Sequence, residues 1–142
     1  MNPAPNHLQP DRANSFADRL AYARRDTGLS NAQLGVTRVY DNPHSYDFLR
    51  SHPDLHDHPN HPNNPDLPLI GEEVLIKDLQ QVAGEVTTMG SVHHGFTAAY
   101  HDTTAHRLLA GGATLVGASA SAEYGTTAYT EPVGMPHPVN PL

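Results

Sequence analysis

A chain of 142 residues has room for one domain at most, and a hydrophobic content of 37% is low for a globular protein of that size, so its own core is thin. The formal charge of −7 arises from only 16% charged residues, with eight Lys and Arg spread thinly, which excludes the electrostatic footprint of a nucleic-acid binder. The absence of cysteine excludes a disulfide framework and a thiolate metal site.

The amino-terminal residues Met1-Asn2-Pro3-Ala4-Pro5-Asn6-His7 lack the basic start and apolar run of a secretory signal. Pro3, Pro5 and Pro10 favour an extended arm up to about residue 14. Ser15-Phe16-Ala17-Asp18 then has the form of a capping box. Phe16, Leu20 and Ala23 follow at helical spacing until Gly28, predicting a short helix near residues 15–27. Val36-Thr37-Arg38-Val39-Tyr40 alternates as a strand near 36–40 and runs into the turn signal Asp41-Asn42-Pro43. A single helical turn carrying Tyr46, Phe48 and Leu49 comes next. From residue 51 to 68 the composition changes to His, Pro, Asn and Asp, which reads as a linker closing an extended segment, 1–66.

Asp66 as N-cap, Pro68 in the first turn and Glu72 and Glu73 at the positive end of a helix dipole predict a helix start. Leu75, Leu79, Val82, Val86, Met89, His93, Phe96 and Tyr100 recur in steps of four and three. They form a heptad seam on one long helix from about residue 66 to beyond 103. The seam passes Gly84, Gly90 and Gly95, each costing on the order of 1 kcal/mol in a helix interior. After Arg107 the composition turns to Ala and Gly, and Gly111-Gly112 allows a helical hairpin within a helical domain spanning 67–125. The uncharged stretch 108–122 is short of the roughly 20 residues of a membrane span. Pro132, Pro136, Pro138 and Pro141 give an extended tail over 126–142. The fold expected is therefore mainly α: one heptad-patterned helix with extended Pro-, His- and Asn-rich arms.

The strongest chemical signal is the loop holding His52, His56, His58 and His61, interleaved with Asp54 and Asp57. Its imidazoles and carboxylates suit a divalent ion such as zinc, although no spacing matches an established zinc motif. His93, His94, His101 and His106 have no separation of three or four among them, so they make no helical ligand pair. Ser91 near His93 and His94 comes nearest to a nucleophile but lacks the Gly-x-Ser-x-Gly elbow. Gly111-Gly112 has neither the Gly-Lys-Ser/Thr ending nor the Rossmann spacing of a phosphate loop. Arg19, Arg24 and Arg25 are flanked by Asp18 and Asp26, which makes them a solvated helix face.

These features converge on a non-enzymatic structural subunit with no cofactor. It would associate with other protein subunits, homo- or hetero-oligomeric, through the coiled-coil seam, while its arms lie over neighbours, as in a virion head or tail accessory protein. Neither nucleic acid nor a membrane span enters this expectation, and the compartment is left open beyond a soluble chain in a large assembly. The alternative is a metal-binding or pH-responsive module centred on the histidine loop.

Overall fold

The computed structural model describes residues 15–47 and 67–140. Within them the order of elements is α1 (Phe16–Thr27), β1 (Val36–His44), β2 (Glu73–Lys77), β3 (Val86–Thr87), β4 (Phe96–Thr97), α2 (Thr103–Ala110) and β5 (Thr114–Ser119). This is a mixed α/β fold, and it overturns the mainly α expectation. No helix runs through residues 67–102. The reason lies in the backbone: Gly84, Gly90 and Met89 adopt φ of +81°, +76° and +53°, whereas a right-handed helix needs φ near −63° throughout. The four-and-three spacing is thus produced by a strand, two turns and a small hairpin. Val74-Leu75-Ile76 is a short apolar run between turns, the pattern of a strand in a parallel sheet.

The amino-terminal helix is locally specified. The Ser15 hydroxyl accepts the Asp18 N–H at 3.3 Å, Arg24 and Arg25 occupy the last turn, and Gly28 ends it by donating its N–H to the Arg24 carbonyl. No residue of α1 is buried, and an ion pair of 3.1 Å between Arg19 and Glu73 reaches from it to the start of β2.

Three strands form one sheet in the order β1-β5-β2, and β3 pairs with β4 in a separate two-stranded hairpin. The central strand β5 is antiparallel to β1, with Val36 opposite Ser119 and His44 opposite Leu115. It is parallel to β2, with Glu73 opposite Thr114 and Lys77 opposite Ser119. A parallel pair needs a crossover, and residues 78–113 supply it, with α2 laid back on β5. The cap of α2 is Asp102, whose carboxylate accepts the Ala105 N–H at 2.9 Å and also the Gln81 N–H at 3.0 Å.

Leu109 and Ala105 from α2, Leu115 from β5, Ile76 from β2, Tyr40 from β1 and Val82 from the crossover form the core, with Val74, Tyr46, Leu108 and Ala110 packed against it. Gly111-Gly112 is a turn, but it feeds β5 and not a second helix. Leu67 and Leu69 close over it, and the Leu69 N–H donates to the Gly111 carbonyl at 2.8 Å. The eight residues of the expected seam therefore share no stripe. Leu75 lies on β2 against Gly117, Leu79 in the turn after it, and Val82 in the core, while Val86, His93, Phe96 and Tyr100 are exposed and Met89 is left-handed.

Candidate functional site

Parallel strands place chemistry at their carboxyl ends, where the chain leaves the sheet and its loops converge. Here β2 and β5 end side by side, Lys77 opposite Ser119. Lys77 is the only lysine in the sequence. Its side chain is exposed, and among the described residues its ammonium has neither a carboxylate nor a hydrogen-bond partner. Its carbonyl accepts N–H groups from Leu79 at 2.7 Å and Gln80 at 2.9 Å, turning the chain sharply out of the strand. An unpaired primary amine held at a strand end can take a proton from a hydroxyl or water and return it to a leaving group.

The next side chain points the other way. Asp78 is only 1% exposed, and its carboxylate accepts the Thr88 N–H at 2.9 Å and the Thr88 hydroxyl, with the Arg38 guanidinium 4.0 Å away. Arg38 also donates to the Val86 carbonyl. Strand β1 thus supplies the countercharge for a carboxylate buried behind the lysine.

The loop Thr87-Thr88-Met89-Gly90-Ser91 folds onto the exit of β5. Gly90 lies so close to it that a Cβ there would meet the Ala122 carbonyl oxygen at 2.3 Å. The Tyr124 N–H donates to the Met89 carbonyl at 2.8 Å, and both residues are left-handed, with φ of +50° and +53°. Non-glycine residues in that region are strained by about 1–3 kcal/mol each and cluster at functional sites. The rim of this corner carries His94, whose Nε2 lies 3.2 Å from a Glu123 oxygen and whose ring packs against Tyr124 with centroids 4.9 Å apart.

Three serines surround the corner, and each hydroxyl is engaged. Ser91 is fully buried, and its Oγ accepts the His93 N–H at 3.3 Å. The Ser121 hydroxyl, also buried, donates to the Ala122 carbonyl at 2.9 Å, and that of Ser119 donates to the Ile76 carbonyl at 3.4 Å. Ser91, the serine singled out from sequence, is therefore a structural residue closed to a substrate.

At the end of β1 a second polar group is buried beside the core. His44 Nε2 lies 2.9 Å from a Glu85 oxygen, and the His44 ring contacts Tyr40 and His101 edge-on at 5.5 and 5.8 Å. The Ala83 N–H donates to His101 Nδ1 at 3.2 Å. Burial, together with the nearby Glu85 and Asp78 carboxylates, pushes the Tyr40 hydroxyl well above its usual range, with Arg38 opposing.

Among the described residues no group of three or more His, Cys, Asp or Glu is placed to hold a metal ion, and no helix is long and apolar enough to cross a membrane. His52, His56, His58 and His61, the candidate zinc ligands, lie outside the described residues. Sequence reasoning missed Lys77 because a lone lysine forms no spaced motif. Its singularity in the composition, directly after Val74-Leu75-Ile76 and before an aspartate, was the available signal.

Residues 48–142 match the family model described as amidase. The curated relatives include the putative amidase AmiB2 of Mycobacterium bovis and of Mycobacterium tuberculosis. Each is 39% identical over 75 residues, a segment covering 53% of this chain and 16% of the relative. The chain thus spans about a sixth of the length of the curated relatives it matches. Among solved structures, 6-aminohexanoate cyclic dimer hydrolase in complex with its substrate superposes with a TM-score of 0.55 at 20% identity, over 89% of this chain and 24% of the other. A variant of Kluyveromyces lactis allophanate hydrolase gives 0.51 at 14% identity, over 87% and 20%. These two likenesses concern the fold. The family match and the curated relatives overturn the expectation of a non-enzymatic structural subunit, and with it the coiled-coil and virion readings.

Proposed function

This chain belongs to the amidase family, and from that premise we propose that it carries the proton-transfer end of an amide-hydrolysing site, with Lys77 as the group that moves the proton. One observation carries the proposal: the only lysine of the chain stands unpaired among the described residues at the carboxyl end of a parallel strand, inside the matched segment. Hydrolysis of an amide requires an oxygen nucleophile to lose a proton as it attacks the carbonyl carbon, and the departing nitrogen to gain one as the C–N bond breaks. The Lys77 nitrogen takes the first proton and delivers one to the departing nitrogen, so the residue returns to its starting state.

None of Ser91, Ser119 and Ser121 is the nucleophile in this proposal, because each is already committed as a donor or acceptor within the fold. The described residues then contribute the lysine and the corner that holds it.

The test is ammonia release from a panel of aliphatic and aromatic primary amides. It is measured for the chain alone and for a chimera in which residues 48–142 replace the corresponding segment of the mycobacterial relative. Lys77→Ala is expected to lower the rate about 100-fold or more, the usual contribution of a positioned acid–base group. Lys77→Arg is expected to be similarly inactive, since a guanidinium does not give up its proton. A Lys77→Ala chimera as active as the chimera that keeps the lysine would refute the assignment.

A further inference from the structure

Asp78 follows Lys77 in the chain, and its carboxylate is bonded to the Thr88 N–H and hydroxyl. The Lys77–Asp78 peptide is hydrogen-bonded at both ends: its carbonyl accepts from Leu79 and Gln80, and its N–H donates to the Ser119 carbonyl at 3.0 Å, prolonging the ladder one residue past β2. That peptide lies at a point where the strand ends and a turn begins, so it has no further ladder to hold it. The Asp78 side chain takes over. Successive side chains along a strand leave on opposite faces, which puts the Lys77 amine outward and the Asp78 carboxylate inward. A carboxylate buried to this degree is tolerated only when its lone pairs are occupied and its charge is balanced. The Thr88 N–H and hydroxyl satisfy the first condition, and Arg38 the second.

We infer that Asp78, through its paired hydrogen bonds to Thr88, is a positioning residue for Lys77, fixing the direction of the amine toward the corner between β2 and β5. The inference rests on the assignment of Lys77 as the proton carrier. Thr88 is suited to the task because the loop beyond it is anchored independently. The Met89 carbonyl accepts the Tyr124 N–H, and Gly90 abuts the Ala122 backbone. Arg38 ties the same carboxylate to β1 and to the Val86 carbonyl. The clamp thus references the lysine to all three strands of the sheet, while Asp78 itself is sealed from substrate.

Because Lys77 is the only lysine, reductive methylation with ¹³C-formaldehyde yields one dimethyl-lysine resonance besides the amino terminus. Thr88→Val removes the hydroxyl bond but keeps the backbone N–H bond and the shape, whereas Thr88→Ser keeps both bonds. The expected result for Thr88→Val is a shifted or broadened Lys77 resonance. In the chimera kcat should fall by about tenfold with KM within twofold, as small misplacements of a reacting group do. Thr88→Ser is expected to restore both readouts. A Thr88→Val protein with a lower urea midpoint but an unchanged Lys77 resonance and unchanged kcat would overturn the inference and leave Asp78 a purely stabilising residue. If Lys77→Ala leaves amide hydrolysis intact, the proton-carrier assignment fails, whereas the resonance still reports whether Thr88 orients the lysine, so the two failures are separable.

Discussion

Placing a methyl group on Gly90 introduces two separate costs that a second glycine can divide. Gly90 and Gly84 both sit in the left-handed region, at φ of +76° and +81°. An alanine there costs roughly 1–2 kcal/mol from backbone sterics alone. Around Gly84 nothing lies within 4 Å of the added Cβ, so Gly84→Ala is expected to lose only that amount. At Gly90 the same atom would meet the Ala122 carbonyl oxygen at 2.3 Å, its carbon at 2.6 Å and the Ser121 carbonyl oxygen at 2.7 Å. A comfortable carbon–oxygen contact needs about 3.3 Å, so the loop and the exit of β5 must separate by about 1 Å. Neither side is free to yield. The Tyr124 N–H holds the Met89 carbonyl at 2.8 Å, and the Gly125 N–H holds the Ala122 carbonyl at 2.9 Å. Overpacking of this kind adds about 1–3 kcal/mol, bringing Gly90→Ala to roughly 2–5 kcal/mol. Equilibrium unfolding in urea gives both values, provided the slope with denaturant is unchanged. Equal losses for the two variants, within about 0.5 kcal/mol, would refute the close approach of the loop to β5.

Three further outcomes are expected. Asp102→Ala removes the cap of α2 and the acceptor for the Gln81 N–H, and is expected to cost about 2 kcal/mol by urea unfolding, with Asp102→Asn retaining most of the stability. Leu115→Ala, at a position with no solvent exposure on the central strand, is expected to cost about 2–5 kcal/mol in the same measurement. Tyr40 has a folded-state pKa raised above the unfolded value of about 10, so its contribution is complete below that pH and is lost as pH rises beyond it, when the unfolded chain ionises first. The urea midpoint should therefore fall on the alkaline side of about pH 10 in the wild type and fall less in Tyr40→Phe; equal alkaline losses would refute the role of Tyr40.

What was legible in the sequence was local. The Ser15 hydroxyl and Gly28 mark the two ends of α1 because capping is decided within a few residues. The alternation from Val36 to Tyr40 likewise lies inside β1, although the strand runs on through Pro43 to His44. The middle of the chain misled because Leu75, Leu79, Val82, Val86 and Met89 satisfy a heptad while belonging to a strand, two turns and a hairpin. Spacing alone did not weigh Val74-Leu75-Ile76 against its bounding turns, nor Gly84 and Gly90 as chain reversals. The Ala- and Gly-rich stretch after Arg107 read as the second arm of a helical hairpin, whereas Gly117 is small because the Arg38 carbonyl lies 2.3 Å from where its Cβ would stand. That approach is made by a strand far away in the sequence, which no local pattern reveals. The candidate site was illegible for the same reason: Lys77, Asp78, Thr88 and Arg38 come from three separate stretches and meet only once β5 is in place.

The position of β5 also sets a timetable for synthesis on the ribosome. Among the described strands it is made last yet lies in the middle of the sheet, so Val36 must wait for Ser119 and Glu73 for Thr114 before either neighbour has a ladder. During translation β1 and β2 emerge with their backbones unpaired and the Val74-Leu75-Ile76 run uncovered. Formation of the sheet, and with it the corner around Lys77, is therefore a late and long-range event. A nascent chain halted before residue 114 would present an adhesive apolar edge to chaperones and to other copies of itself, and release of the residues that follow would withdraw it.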